Sequence, residues 1–207
     1  MILWYVWGVA QRRHHYERAF EGYLRDQRVP YVAVNEAKRA LLPAGARLVM
    51  EGENGGETIK NFDFVVYGDG GAGGVGGLRA ENLLVEVKGR RLPRLQLADG
   101  RAAKARLESW VTKDDVEALK TWEGLFGEGY RGVFVFVYWC DDVPPDGLFA
   151  EVFESQGRWY TVRAVTVEDY EGYMKVRSPK WGTVNLSSGD YERVWRMFCV
   201  GQVGAAV

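Results

Sequence analysis

Asp63, Glu86 and Lys88 are the residues of this 207-residue chain whose types and spacing best suit chemistry. Glu86 and Lys88 stand two apart in NLLVEVKG (82–89), a mostly aliphatic run, so both project from one face of a buried strand. A carboxylate and an ammonium are costly to desolvate unless something compensates them. Asp63 lies in KNFDFVVYG (60–68), a second strand-like run, where it shares a face with Val65 and Tyr67 while Phe62, Phe64 and Val66 point the other way. Paired as a hairpin, the two runs bring Asp63 beside Glu86. Two carboxylates in an apolar setting repel, and one pKa rises unless a cation separates them. Mg²⁺ suits that role, with Mn²⁺ as the alternative: a hard ion that takes one or two carboxylates and clamps phosphate oxygens. Lys88 on the same face can orient or deprotonate a water, or neutralise charge in a phosphoryl transition state.

These side chains need elements to hold them. RRHHYERAFEGYLRDQ (12–27) places Tyr16, Ala19, Phe20, Tyr23 and Leu24 in one stripe, which predicts an amphipathic helix ending before Pro30. Glu17 borders the stripe and can reach inward to a metal or to Lys88; an ion pair with Arg13 or Arg18 is the competing use. YVAVNEA (31–37) reads as a strand. GDGGAGGVGG (68–77) reads as a hairpin tip. Its Gly68, Gly70 and Gly73 match G-x-G-x-x-G, but a dinucleotide site needs that motif to open a helix, and here a strand follows. Thr112, with Asp115 three residues on, resembles a capping box for a helix ending near Gly127. GVFVFVYWC (132–140) is apolar enough for a strand covered on both faces. PPDG (144–147) breaks the chain, and the remainder reads as two or three strands with a closing helix around 188–199. The expected class is α/β: a core over 1–143 in the order α-β-β-β-α-β with a mixed, mainly four-stranded sheet, and a C-terminal α+β extension over 144–207 packed on it.

Composition is globular, 47% hydrophobic and 27% charged with eight Trp, and a net charge of −1 gives no overall signal for nucleic acid or membrane. Locally the balance differs. Lys88, Arg90, Arg91, Arg94, Arg101, Lys104, Arg106 and Lys113 face only Asp99 and Glu108 within that interval, eight against two, a surplus of six positive charges beside the candidate site. Such a patch suits phosphate contacts; a solvated loop balanced by acidic neighbours is the plainer reading. In RSPKWGTV (177–184), Arg177, Lys180 and Trp181 suit a backbone and a stacked base, with Trp181 in the core as the alternative. The expected nucleic-acid contacts are therefore Arg90, Arg91, Arg94, Arg101, Lys104, Lys113 and Lys180. Cys140 and Cys199 lack CxxC spacing and read as buried thiols of a reducing compartment. MILWYVWGVA (1–10) is too short to span a bilayer and lacks a signal-peptide layout, so a soluble, cytoplasmic protein is expected, with this segment packed on the domain.

Asp63, then Glu86-x-Lys88 on the next strand, with Glu17 in the preceding helix and an α-β-β-β-α-β order, resemble the PD-(D/E)XK nuclease superfamily. Within it they are most similar to archaeal-type Holliday junction resolvases and related restriction-endonuclease-like enzymes. The resemblance covers residues 12 to 140, and Phe62 stands where that family usually carries Pro. It implies a Mg²⁺-dependent phosphodiesterase acting on DNA, branched or damaged DNA included. Asp63, Glu86 and the Val87 carbonyl would be metal ligands, Lys88 catalytic in water activation, and Glu17 accessory. A junction-cutting enzyme works on a two-fold substrate, so a homodimer is implied by analogy. HYERAFE (15–21) also resembles the signature of an uncharacterised bacterial family known by that heptapeptide. Two rival readings remain: a non-catalytic nucleic-acid-binding module, and a protein-interaction domain in which Glu86 and Lys88 simply pair.

Overall fold

The apolar stripe of the first helix packs on a six-stranded mixed sheet. A computed structural model describes residues 3–41, 49–50, 57–69, 78–92, 97–98, 101–102, 107–141, 144 and 149–198, with side chains over 15–37, 59–69, 78, 80–92, 107–141, 144 and 149–198. Helix α1 (Leu3–Asp26) starts well before the expected residue 12. Strand β1 (Tyr31–Ala33) is shorter than expected and gives way to α2 (Val34–Leu41), because the Val34 amide turns to the Asp63 carbonyl at 2.9 Å and closes the ladder. A two-residue ladder follows, β2 (Val49–Met50) with β3 (Glu57–Thr58). Then come β4 (Phe64–Val66), a single 3-10 turn and the long β5 (Asn82–Arg91). A second short ladder joins β6 (Leu97–Ala98) to β7 (Arg101–Ala102).

Strand β8 (Val111–Thr112) leads into α3 (Lys113–Phe126), whose capping box is the one the sequence indicates: Thr112 Oγ1 accepts from the Asp115 amide, and the Asp115 carboxylate accepts from the Thr112 amide. Next are β9 (Tyr130–Cys140), β10 (Val152–Ser155), β11 (Arg158–Thr166), α4 (Val167–Tyr173), β12 (Lys175–Ser178), β13 (Thr183–Asn185) and α5 (Ser188–Val194). The main sheet runs β1-β4-β5-β9-β11-β10, parallel at β5–β9 and antiparallel elsewhere. It is wider than the four strands expected because β10 and β11, from the segment after residue 148, extend it. A three-stranded sheet, β12-β13-β8, fastens the C-terminal hairpin to the start of α3. Among the described residues, no helix is long and apolar enough to cross a membrane.

Strands β5 and β9 lie at the centre and are apolar on both faces, as expected for strands covered twice. On one face Leu83, Val85, Val87, Val133 and Val135 pack with Phe20 and Leu24 of α1. On the other, Leu84, Phe134, Phe136 and Tyr138 pack with Val116 and Leu119 of α3, Tyr170 of α4 and Tyr191 of α5. Fully burying a side chain of this size contributes about 1.5–3 kcal/mol, so the sheet centre is the most firmly held part of the fold. One expectation fails here. Phe62 and Phe64, read as neighbours on one face, pack into opposite clusters. The chain bends at Asp63, so the two-residue alternation restarts there.

At Gly89, late in β5, the Tyr16 ring lies against the backbone where a Cβ would stand. Glycine is required by that approach. Gly89→Ala should cost about 1–3 kcal/mol in urea unfolding. Adding Tyr16→Ala should make the pair less costly than the sum of the two single substitutions; simple additivity would mean that the contact does not govern the position.

Candidate functional site

Strand β4 leaves β5 at Phe64, and the site occupies the gap that results. The Asp63 amide still donates to the Val85 carbonyl at 2.8 Å. Beyond it, the Val87 amide finds no strand and donates instead to Asp63 Oδ2 at 2.7 Å. In a strand the amide and carbonyl of one residue point the same way, so the Val87 carbonyl also faces the gap. The cavity there has a volume of about 330 Å³ and is lined by Tyr16, Glu17, Lys60, Asn61, Asp63, Glu86, Val87, Lys88, Gly89, Arg90, Trp110, Thr112 and Asp115. All five residues expected to do chemistry or hold metal therefore border one space. The structure adds two that sequence reasoning missed, Lys60 and Asp115.

Charges in the cavity alternate. Lys88 Nζ lies 2.7 Å from Glu86 and 2.8 Å from Asp115. Lys60 pairs with Asp115 and stands 3.6 Å from Glu86. Burial pushes the Asp115 carboxyl up, but the Lys88 charge, hydrogen bonds from Lys60 and Lys88 and the Thr112 amide outweigh it, holding the group below the usual carboxylate range. Asp63 goes the other way. Burial, then the charges of Glu86 and Glu17, push its carboxyl well above the usual range, against the Val87 amide and Lys88. Two aspartates of one cavity are thus opposite in character: two ammoniums compensate Asp115, while Asp63 has no ion pair among the described residues.

A cation beside Asp63 would relieve that imbalance. Asp63, Glu86 and the Val87 carbonyl are all hard oxygen donors, the set that suits Mg²⁺. Among the described residues no group of three or more His, Cys, Asp or Glu could hold a metal ion unaided, so waters or substrate oxygens would have to complete the shell. Two buried atoms of lining residues, Asn61 Oδ1 and Arg90 Nε, also have no hydrogen-bond partner. Glu17 lines the cavity from the α1 side. Tyr16 beside it has its hydroxyl pKa pushed up to about 12, chiefly by burial.

The expected nucleic-acid contacts divide. Arg90 donates to the Gly89 and Trp110 carbonyls and lies over the Trp110 ring, 3.9 Å from its centre, and burial pulls its pKa down. Arg91 is exposed, but both oxygens of Asp141 take its guanidinium at 2.8–2.9 Å. Lys113 and Lys180 are exposed. Arg94, Lys104 and Arg106 lie outside the described residues, as do Cys199 and the glycine-rich tip from residue 70 to 77. Arg101 is described only as β7 backbone, and the side chains of residues 1–10 and Arg13 are likewise outside. Part of the basic surplus beside the site is therefore already engaged within the protein.

No family model and no curated protein matches the chain, so the likeness of HYERAFE to the bacterial family finds no support. Among solved structures, the chain is similar to Hjc, a Holliday junction resolvase from the archaeal hyperthermophile Archaeoglobus fulgidus. The two share 14% identity over 87% of this chain and 93% of that one, with a TM-score of 0.43. A superposition this loose says nothing about the site; the mixed α/β fold stands on this chain's own strand order and register.

The two aspartates should respond oppositely to pH. Asp63 has a folded pKa above its unfolded value of about 3.9, so stability is lost as pH rises from there through the folded value. Asp63→Asn should raise the urea midpoint at pH 7 and flatten that fall; identical pH profiles for the two proteins would refute the assignment. Asp115 has a depressed folded pKa, so its contribution is present above about pH 3.9 and lost as pH falls below it. Asp115→Asn should cost about 3 kcal/mol at pH 7, because it leaves the two ammoniums of Lys60 and Lys88 to the Glu86 carboxylate alone.

Proposed function

We propose that this chain is a Mg²⁺-dependent nuclease-like enzyme that hydrolyses phosphodiester bonds in DNA, branched or damaged DNA among its substrates. The observation that carries this reading is that Asp63, held by the Val87 amide, lines one cavity with Glu86 and the Lys88 ammonium. Asp63, Glu86 and the Val87 carbonyl would hold the ion. The chemistry such an ion, Mg²⁺ or Mn²⁺, would supply is polarisation of a phosphoryl oxygen and a lowered pKa for the attacking water.

The protein's own groups do the rest. Lys88 is gripped by Glu86 and Asp115, which uses two of its three N–H donors. The third is free to meet a phosphate oxygen, and the charge stands where negative charge builds in the transition state. An ammonium clamped by two carboxylates acts as a donor, which favours charge neutralisation and orientation of water over proton abstraction. Glu17, which lines the same cavity from α1, would assist by orienting the attacking water. A homodimer would present two such cavities to a two-fold junction.

The 2.7 Å Glu86–Lys88 pair favours the second reading, a non-catalytic domain in which these charges serve structure. Cleavage of linear, single-stranded, flapped and four-way-junction DNA in Mg²⁺ or Mn²⁺ separates the two. The native chain should cut at least one of these substrates, and Asp63→Ala, Glu86→Ala and Lys88→Ala should each slow cutting by about 100-fold or more. Salt-sensitive DNA binding with no cleavage by the native chain would leave the non-catalytic reading.

A further inference from the structure

The hairpin of β12 and β13 takes no part in the chemistry above, yet it is tied to the cavity wall twice. Thr183 and Val184 of β13 pair with Thr112 and Val111 of β8, and the Lys113 amide donates to the Gly182 carbonyl at 2.8 Å. On β12, Arg177 lies over the ring of Trp110, 5.1 Å from its centre, and Trp110 lines the cavity. The hairpin tip is a tight turn closed by the Gly182 amide on the Pro179 carbonyl at 3.3 Å, with Gly182 at a φ of +56° that favours glycine. Trp181 sits in this turn and is 72% exposed.

That exposure is selective. The other five tryptophans with described side chains, Trp110, Trp122, Trp139, Trp159 and Trp195, are all part-buried. Among the described residues, the ring contact of Trp181 is the Lys180 ammonium at 5.5 Å. Lys113, Arg177 and Lys180 have no ion-pair partner there, so these three charges remain available to phosphates. We propose that Trp181 stacks on an unpaired base of the strand being cut, with Arg177, Lys180 and Lys113 on its flanking phosphates. The substrate then carries a single-stranded segment next to the scissile bond. This deepens the nuclease reading and rests on it.

The reach is right. Thr112 borders the cavity, Lys113 is bonded to Gly182, and Trp181 is the next residue, roughly 10 Å of backbone in all. A duplex strand advances about 3.4 Å per nucleotide and an unpaired one further, so the tip lies within about three nucleotides of the cavity. Bases inside a duplex are already stacked on each other, whereas an unpaired base has a free face for an aromatic ring. The fixed turn holds that ring ready, and the neighbouring ammoniums serve the backbone of either strand type.

The test is fluorescence anisotropy of the full chain, without divalent metal, on a labelled oligothymidine and on a labelled duplex of equal length. Trp181→Ala should weaken single-strand binding by about tenfold and change duplex binding by less than about twofold, and Trp181→Phe should restore most of the loss. Thermal unfolding of Trp181→Ala should match the native chain, since the ring is exposed. Unchanged single-strand affinity in Trp181→Ala would overturn the proposal while leaving the nuclease reading intact, as would an equal loss on both DNAs. The same unchanged affinity with self-association abolished in sedimentation would assign the tip to a second copy of this chain instead. Failure of the native chain to bind either DNA would take down both readings.

Discussion

The Val87 amide is a buried backbone donor that no strand reaches, and the rest of the site depends on how it is satisfied. Leaving such a group unpaired costs free energy comparable to a lost hydrogen bond. The chain meets that need with the Asp63 carboxylate and not with another strand residue. A side-chain acceptor can do this only if β4 has already turned away, so the bond and the gap come together. The same bond fixes Asp63 beside Glu86, because Val87 is the neighbour of Glu86 in β5. A structural requirement and a chemical one thus fall on a single carboxylate.

Lys88 makes the second connection. It joins Glu86 of β5 to Asp115 of α3, and Asp115 is also the residue that closes the α3 capping box. The helix start, the ammonium and the strand are therefore locked in one chain of contacts. An ammonium held this way has little freedom left to lose, the condition for electrostatic preorganisation. The arrangement also explains why the site can contain four carboxylates, those of Glu17, Asp63, Glu86 and Asp115, without collapsing: Lys60 and Lys88 neutralise the α3 side and leave the charge surplus at Asp63.

Much of this was legible in the sequence, and the failures have physical reasons. NLLVEVKG announces a buried strand with a charged pair, and Thr112 with Asp115 announces a helix start; both readings need only local periodicity and capping chemistry. The pairing of 60–68 with 82–89 comes from their order along the chain. Asp115 as a site residue was not legible, because its sequence signal is fully explained by capping and its second role depends on where α3 lies over β5. Lys60 was hidden for a similar reason, since it precedes a bend whose position no alternation pattern marks. That bend also misled the reading of Phe62 and Phe64: periodicity assumes a continuous strand, and Asp63 interrupts it. The width of the sheet was missed because nothing local in β11 says which edge it will join.

That last strand has a consequence for the boundaries of the molecule. Strand β9 is almost wholly apolar and is flanked by β5 on one side and by β11 on the other. The resemblance read from the sequence ends at β9, yet from Val133 to Cys140 one edge of that strand is covered by β11, from the C-terminal third of the chain. Cut after residue 143, the protein would present a long, flat, hydrophobic row of open amides and carbonyls, the kind of edge that recruits other chains. The C-terminal third is in this sense the lid on an adhesive surface, and a chain that ended at β9 would be left without it.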